Sequence, residues 1–177
     1  ALIKCGLGPI TIESKLTETF GSCSQVPKNC TGMYGARSDI KTASDANCRL
    51  EINDRSRQPR RYWEVMKGIS IHNAYPTDAP CPFSGQGYQV MRVIAMAAAL
   101  AQQADQTQWC AIFAFPFSLT PDSAAVVTKM KFRLLPEFRQ NVLMLNYEQL
   151  ARKLRASDDE ISRKLGEFMQ VRFEAVK

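Results

Sequence analysis

One histidine, His72, is all the imidazole this chain carries. That excludes multi-histidine metal centres. It also argues against a Ser-His-Asp hydrolase, because His72 lies in loop-like sequence and no second imidazole could serve as the base. The glycine-rich fingerprints of nucleotide binding are missing too: neither G-x-x-x-x-G-K-[ST] nor G-x-G-x-x-G occurs. No apolar run is long enough to span a bilayer. The most apolar stretch, Val90–Ala101, is alanine-rich, is interrupted by Arg92 and reads as a buried helix. No leader peptide, internal repeat or low-complexity tract is visible. There are six cysteines, but none are paired as C-x2-C. Cys23, Cys30, Cys48 and Cys81 lie in loop-like sequence, where they could close around structural zinc or an iron–sulfur cluster, or could be free thiols in a reducing cytoplasm. Cys5 and Cys110 sit in strand-like sequence and read as buried thiols.

What remains is an ordinary globular balance. The chain has 177 residues, 45% hydrophobic and 23% charged, enough for one domain with a sizeable core and marginal for two. Residues 1–177 are therefore read as a single domain, cytoplasmic and without a membrane segment. The formal charge of +6 favours polyanionic partners. The opening ALIKCG runs into a strand with no preceding residue, so the domain is expected to have a further N-terminal part upstream.

Hydrophobic periodicity gives a mixed order of elements. Ala1–Cys5 reads as a strand, Gly6–Pro9 as a turn and Ile10–Thr17 as a second strand, so the chain starts as a hairpin. Loop-rich sequence from Phe20 to Asn47 is long for a structureless connection. A short strand at Cys48–Ile52 and a short helix at Arg61–Lys67 follow. Gly87–Gln103 is the clearest helix, apolar nearly all round and hence central. Trp109–Phe115 is a buried strand, and Pro121–Phe132 a helix with Thr120 as N-cap. Val142–Leu145 is a strand and Tyr147–Leu154 a helix. A last helix starts with a Ser157–Glu160 capping box and carries Ile161, Leu165, Phe168, Met169 and Phe173 near helical spacing. The class is α/β.

Within ITIESKLTETFG the strand alternation puts Ile10 and Ile12 on one face and Thr11, Glu13, Lys15 and Thr17 on the other. A carboxylate is a hard oxygen ligand suited to Mg2+, which is commonly held by one or two carboxylates plus substrate phosphate. An ammonium beside it can orient a water and stabilise charge developing on phosphate. The alternative is a solvated strand with a cross-strand charge pair worth about 1 kcal/mol at most. Downstream, Gln89 and Arg92 share a face at the start of the central helix. Arg55, Arg57, Arg60 and Arg61 crowd RSRQPRR and suit phosphate contact. Tyr62 and Trp63 follow, to stack on bases or to pack inward. Asp45, Glu51 and Asn53 offer a competing acidic arrangement that lacks a lysine. Glu18 points away from Glu13 in an unbroken strand.

The ESK strand after a tight turn, followed by RYWEV and CPF…YQ-x-MR, resembles the PD-(D/E)XK, or restriction-endonuclease-like, nuclease superfamily. Glu13 and Lys15 match the (D/E)-x-K half of its motif. The family's Asp would fall at or before Ala1, and no aspartate precedes Glu13. The resemblance implies a restriction-endonuclease-like core, with a mixed central sheet flanked by helices. It also implies Mg2+-dependent phosphodiester hydrolysis, most naturally of DNA. Glu13 would ligate the metal, Lys15 would position the attacking water, and Gln89 would support the site. The arginines, Arg92 included, would hold nucleic acid. Two alternatives stay open. One is an inactive nucleic-acid-binding module of the same fold, and the other an interaction domain stabilised by cysteine-bound metal.

Overall fold

The computed structural model describes residues 2–5, 8–15, 20–23, 62–70, 81 and 85–174. The expected strand at Cys48–Ile52 lies outside them. So do Thr17, Glu18, His72, the Asp45–Glu51–Asn53 arrangement and Arg55, Arg57, Arg60 and Arg61. The side chain of Cys5 is likewise outside.

Strands β1 (Leu2–Cys5) and β2 (Gly8–Ser14) pair antiparallel as the expected hairpin. Next come α1 (Tyr62–Ile69), α2 (Gly87–Gln103) and β3 (Cys110–Phe115). A 3-10 turn at Phe117–Leu119 leads into α3 (Thr120–Lys131), and then α4 (Pro136–Arg139), β4 (Val142–Asn146), α5 (Tyr147–Arg155) and α6 (Glu160–Glu174) complete the order. The four strands form one sheet in chain order, with β2, β3 and β4 mutually parallel. Parallel neighbours require crossovers, so helices lie between β2 and β3 and between β3 and β4. The carboxyl ends of the three parallel strands come out along one edge of the sheet.

Helix α2 matches its expected bounds because its composition leaves little choice. Val90, Val93, Ile94, Ala97, Ala98 and Ala101 are buried. The alanines let the helix lie close to β2 and β3 while α1 and α3 flank it. It runs antiparallel to β2, since Gln89 meets Glu13 and Val93 meets Thr11 further down the strand. Its amino end, with the partial positive charge of unpaired backbone N–H groups, therefore sits at the carboxyl edge of the sheet.

Several local expectations shift. Gly8 and Pro9 belong to β2, not to a turn, and the strand ends at Ser14, so Lys15 stands one residue past it. Gly8 has φ of 98°, and a Cβ there would lie 2.1 Å from the Gln108 backbone oxygen. Gly8→Ala is expected to cost about 2–3 kcal/mol in urea unfolding, from strained φ plus overpacking against backbone. Helix α3 begins at Thr120, which moves its N-cap position to Leu119, where no side chain caps. Helix α5 is capped by Asn146, whose Oδ1 accepts from Gln149 N at 3.0 Å. Asn146→Ala should lower stability by about 1 kcal/mol, read as a shift of the denaturation midpoint. Residue Asp159, not Ser157, caps α6: its Oδ2 accepts from Ser162 N at 2.7 Å. The same Ser162 hydrogen bonding holds the Asp159 carboxyl below its ordinary range.

Of the apolar positions at helical spacing on α6, three face outward. Ile161, Leu165 and Phe168 are 78%, 49% and 58% exposed. The helix meets α5 through Gly166 instead, where a Cβ would lie 2.7 Å from both the Ala151 oxygen and the Arg155 nitrogen. Close backbone approach at the glycine orients the helix, which turns the neighbouring row toward solvent. No described helix is long and apolar enough to cross a membrane.

Candidate active site

The face of β2 that looks polar in sequence is the buried one. Thr11 is fully buried and Lys15 is 5% exposed, while Ile10 and Ile12 on the other face are only half-buried. Residue Thr11 can be buried because its Oγ1 donates to the Val93 oxygen of α2, at 3.3 Å. In register with Thr11 and Glu13 on β3 are Ala111 and Phe113, both fully buried. Glu13 and Lys15 thus stand on the helix-covered side of the sheet, at its carboxyl edge.

The geometry joins the two charges. Lys15 N donates to Ala114 O at 2.9 Å, extending the β2–β3 ladder by one residue and fixing the backbone under its side chain. Lys15 Nζ lies 3.5 Å from Glu13 Oε1. Gln89 Nε2 donates to the same Glu13 oxygen. The Glu13 side chain is 19% exposed against 6% for that of Lys15, so the carboxylate opens to the surface and the ammonium lies beneath it. Among the described residues, Glu13 Oε2 has no hydrogen-bond partner. This is a partly open carboxylate oxygen backed by a buried cation, a donor suited to a hard divalent cation.

Of the residues expected at the site, the fold brings together Glu13, Lys15 and Gln89. Residue Arg92 is exposed on α2 and takes no part in the hydrogen bonds to Glu13. Cys23 and Cys81 are half-buried; Cys30 and Cys48 lie outside the described residues. Among the described residues no group of three or more His, Cys, Asp or Glu gathers in metal-binding geometry. Cys110, expected to be buried, is half-buried because it faces the less covered side of the sheet with Ile10. The Tyr62 ring turns inward, edge-on to Tyr88 at 6.3 Å, and packs against the core. Lys131 ties α3 to β4, its Nζ donating to the Val142 oxygen at 3.1 Å.

Two participants escape sequence reasoning. Gly21 N donates to Gln89 Oε1 at 2.6 Å. Phe20 beside it is buried and edge-on to Phe113, with ring centroids 5.7 Å apart. The partners are 68 positions apart, a separation no local spacing encodes. A lone aromatic before glycine at the end of a polar run is the faint signal available. On the opposite face, Ser14 Oγ hydrogen-bonds the Tyr147 hydroxyl and links β2 to the start of α5.

A protein-family model described as "Restriction Endonuclease associating with ARP" matches residues 1–170. No curated protein and no solved structure matches the chain.

Proposed function

The chain belongs to this restriction-endonuclease family, and on that premise we propose that it is a Mg2+-dependent nuclease of the PD-(D/E)XK type, built on a restriction-endonuclease-like core and hydrolysing phosphodiester bonds of DNA. The observation that carries the reading is the convergence of Glu13, Lys15 and Gln89 at the carboxyl edge of β2, under the amino end of α2. Open α/β sheets commonly bind ligands at that edge.

The donor set fits the cation the reading requires. Glu13 supplies a hard, partly exposed carboxylate oxygen, and Mg2+ commonly takes one or two carboxylates together with substrate phosphate. Bound there, the cation would supply Lewis acidity toward the phosphoryl oxygens and a more acidic water. The protein does the rest. Lys15 is held with its stem buried and its ammonium at the Glu13 carboxylate, where it can donate to an incoming water and stabilise charge on the scissile phosphate. Gln89 keeps the carboxylate in one orientation. The positive end of α2 favours a phosphate at the same place. The arginines Arg55, Arg57, Arg60 and Arg61 are assigned to the DNA backbone by their charge and fork geometry.

Incubation of supercoiled plasmid with the full chain tests the reading. Nicked or linear product in Mg2+, absent in EDTA, is expected. DNA binding with no cleavage in Mg2+ or Mn2+ would replace the reading with that of a non-catalytic DNA-binding module.

A further inference from the structure

The hydrogen bonds at Gln89 have a direction that fixes what this side chain can do. A primary amide has one acceptor end and one donor end. The acceptor end is taken: Gly21 N–H points at Gln89 Oε1 from 2.6 Å. A backbone N–H can only donate, so the amide cannot flip without leaving that donor unpaired and turning its carbonyl oxygen toward the Glu13 carboxylate. The donor end, Nε2, is therefore committed to Glu13 Oε1. Segment 20–21 is anchored as well, because Phe20 is 3% exposed and sits edge-on to Phe113, the residue in register with Glu13. The chain thus closes a loop from Glu13 through Gln89, Gly21, Phe20 and Phe113 back to the neighbouring strand.

We propose that Phe20 and Gly21 are positioning residues of the site. They lock Gln89 as a hydrogen-bond donor, not a cation ligand, and Gln89 together with Lys15 occupies Glu13 Oε1, so that Oε2 is the oxygen presented to a divalent cation. This rests on the nuclease reading for the identity of the cation. It adds which oxygen binds, what Gln89 does, and a role for a segment outside the ESK strand. Partners of this kind orient ligating groups, and their loss commonly weakens metal affinity about 10–100-fold.

The test uses the full chain with Gly21→Pro, which deletes the N–H, Gln89→Met, which deletes the amide in a side chain of similar length, and the double variant. Two readouts are taken: the Gln89 side-chain amide resonances without metal, and Mn2+ affinity by calorimetric titration. The parent should show a displaced, slowly exchanging Gln89 amide pair. Gly21→Pro should return that pair to the position of a solvated glutamine and weaken Mn2+ binding about tenfold. Gln89→Met should weaken Mn2+ binding as much, and the double variant no more than either alone, as expected for two changes in one bonded chain. Gly21→Ala keeps the N–H, with its Cβ 3.3 Å from Gln89 Oε1, and should keep the displaced amide pair.

Unchanged Gln89 resonances in Gly21→Pro would overturn the proposal, and so would full additivity in the double variant. If Gly21→Pro does not fold, Gln89→Met with undiminished Mn2+ affinity overturns it equally. The two readings can fail separately. Amide resonances that respond as described in a protein that binds no Mn2+ keep the Gln89 assignment and sink the nuclease reading. A parent that cuts DNA while Gly21→Pro binds Mn2+ and cuts equally well does the reverse.

Discussion

Glu13→Gln is expected to lower Mg2+-dependent DNA cleavage about a thousandfold, the scale of losing one preorganised charge interaction at a reacting phosphate. The substitution preserves side-chain length and one carbonyl oxygen, so the Lys15 and Gln89 contacts keep an acceptor. What disappears is the negative charge and with it the hard anionic oxygen that a divalent cation requires. The loss should therefore appear first in Mn2+ affinity. Plasmid nicking measured at several Mg2+ concentrations should show a higher half-saturating concentration as well as a lower maximum. Equal nicking by parent and Glu13→Gln would place the chemistry elsewhere in the chain.

Lys15→Met should separate binding from chemistry. Methionine is close in length and apolar, so it can fill the channel of a side chain that is 6% exposed. The partner left behind, Glu13, is more exposed and still receives the Gln89 hydrogen bond. Stability should stay within about 1 kcal/mol of the parent, because the carboxylate left behind is partly exposed and can be solvated. Glu13→Leu is different, since it takes the carboxylate away from an ammonium that is itself buried. It should cost about 3 kcal/mol in denaturant unfolding. Cleavage by Lys15→Met should fall about a hundredfold while Mn2+ binding persists, since the ammonium assists the water and the phosphate without ligating the cation. Loss of Mn2+ binding in Lys15→Met, or stability effects in the opposite order, would count against the assigned roles.

Much of this arrangement is legible in the sequence. The two-residue period of a strand puts Glu13 and Lys15 on one face, and the alanine-rich run from Val90 fixes α2 and so the place of Gln89 near its start. The sequence does not say which face of β2 is buried. Ile10 and Ile12 look like the core face by hydropathy, yet the Thr11 face is the one covered, because α2 supplies a carbonyl acceptor for its hydroxyl. Tertiary packing overrides the pattern of a short strand, and a charged pair reads as solvated unless its partners across the fold are known. Helical spacing at Ile161, Leu165 and Phe168 does not say what the helix packs on: Gly166 decides the contact with α5, and a glycine adds nothing to an apolar stripe. The Gly21–Gln89 bond joins positions too far apart for any periodicity to reveal.

Paramagnetic broadening by Mn2+ in the amide spectrum of the full chain tests the central assignment most directly. Substoichiometric Mn2+ should first remove the signals of Glu13, Ser14, Lys15, Gly21 and Gln89, and Glu13→Gln should abolish this effect. Broadening centred on other residues, or the same pattern in parent and Glu13→Gln, would contradict it.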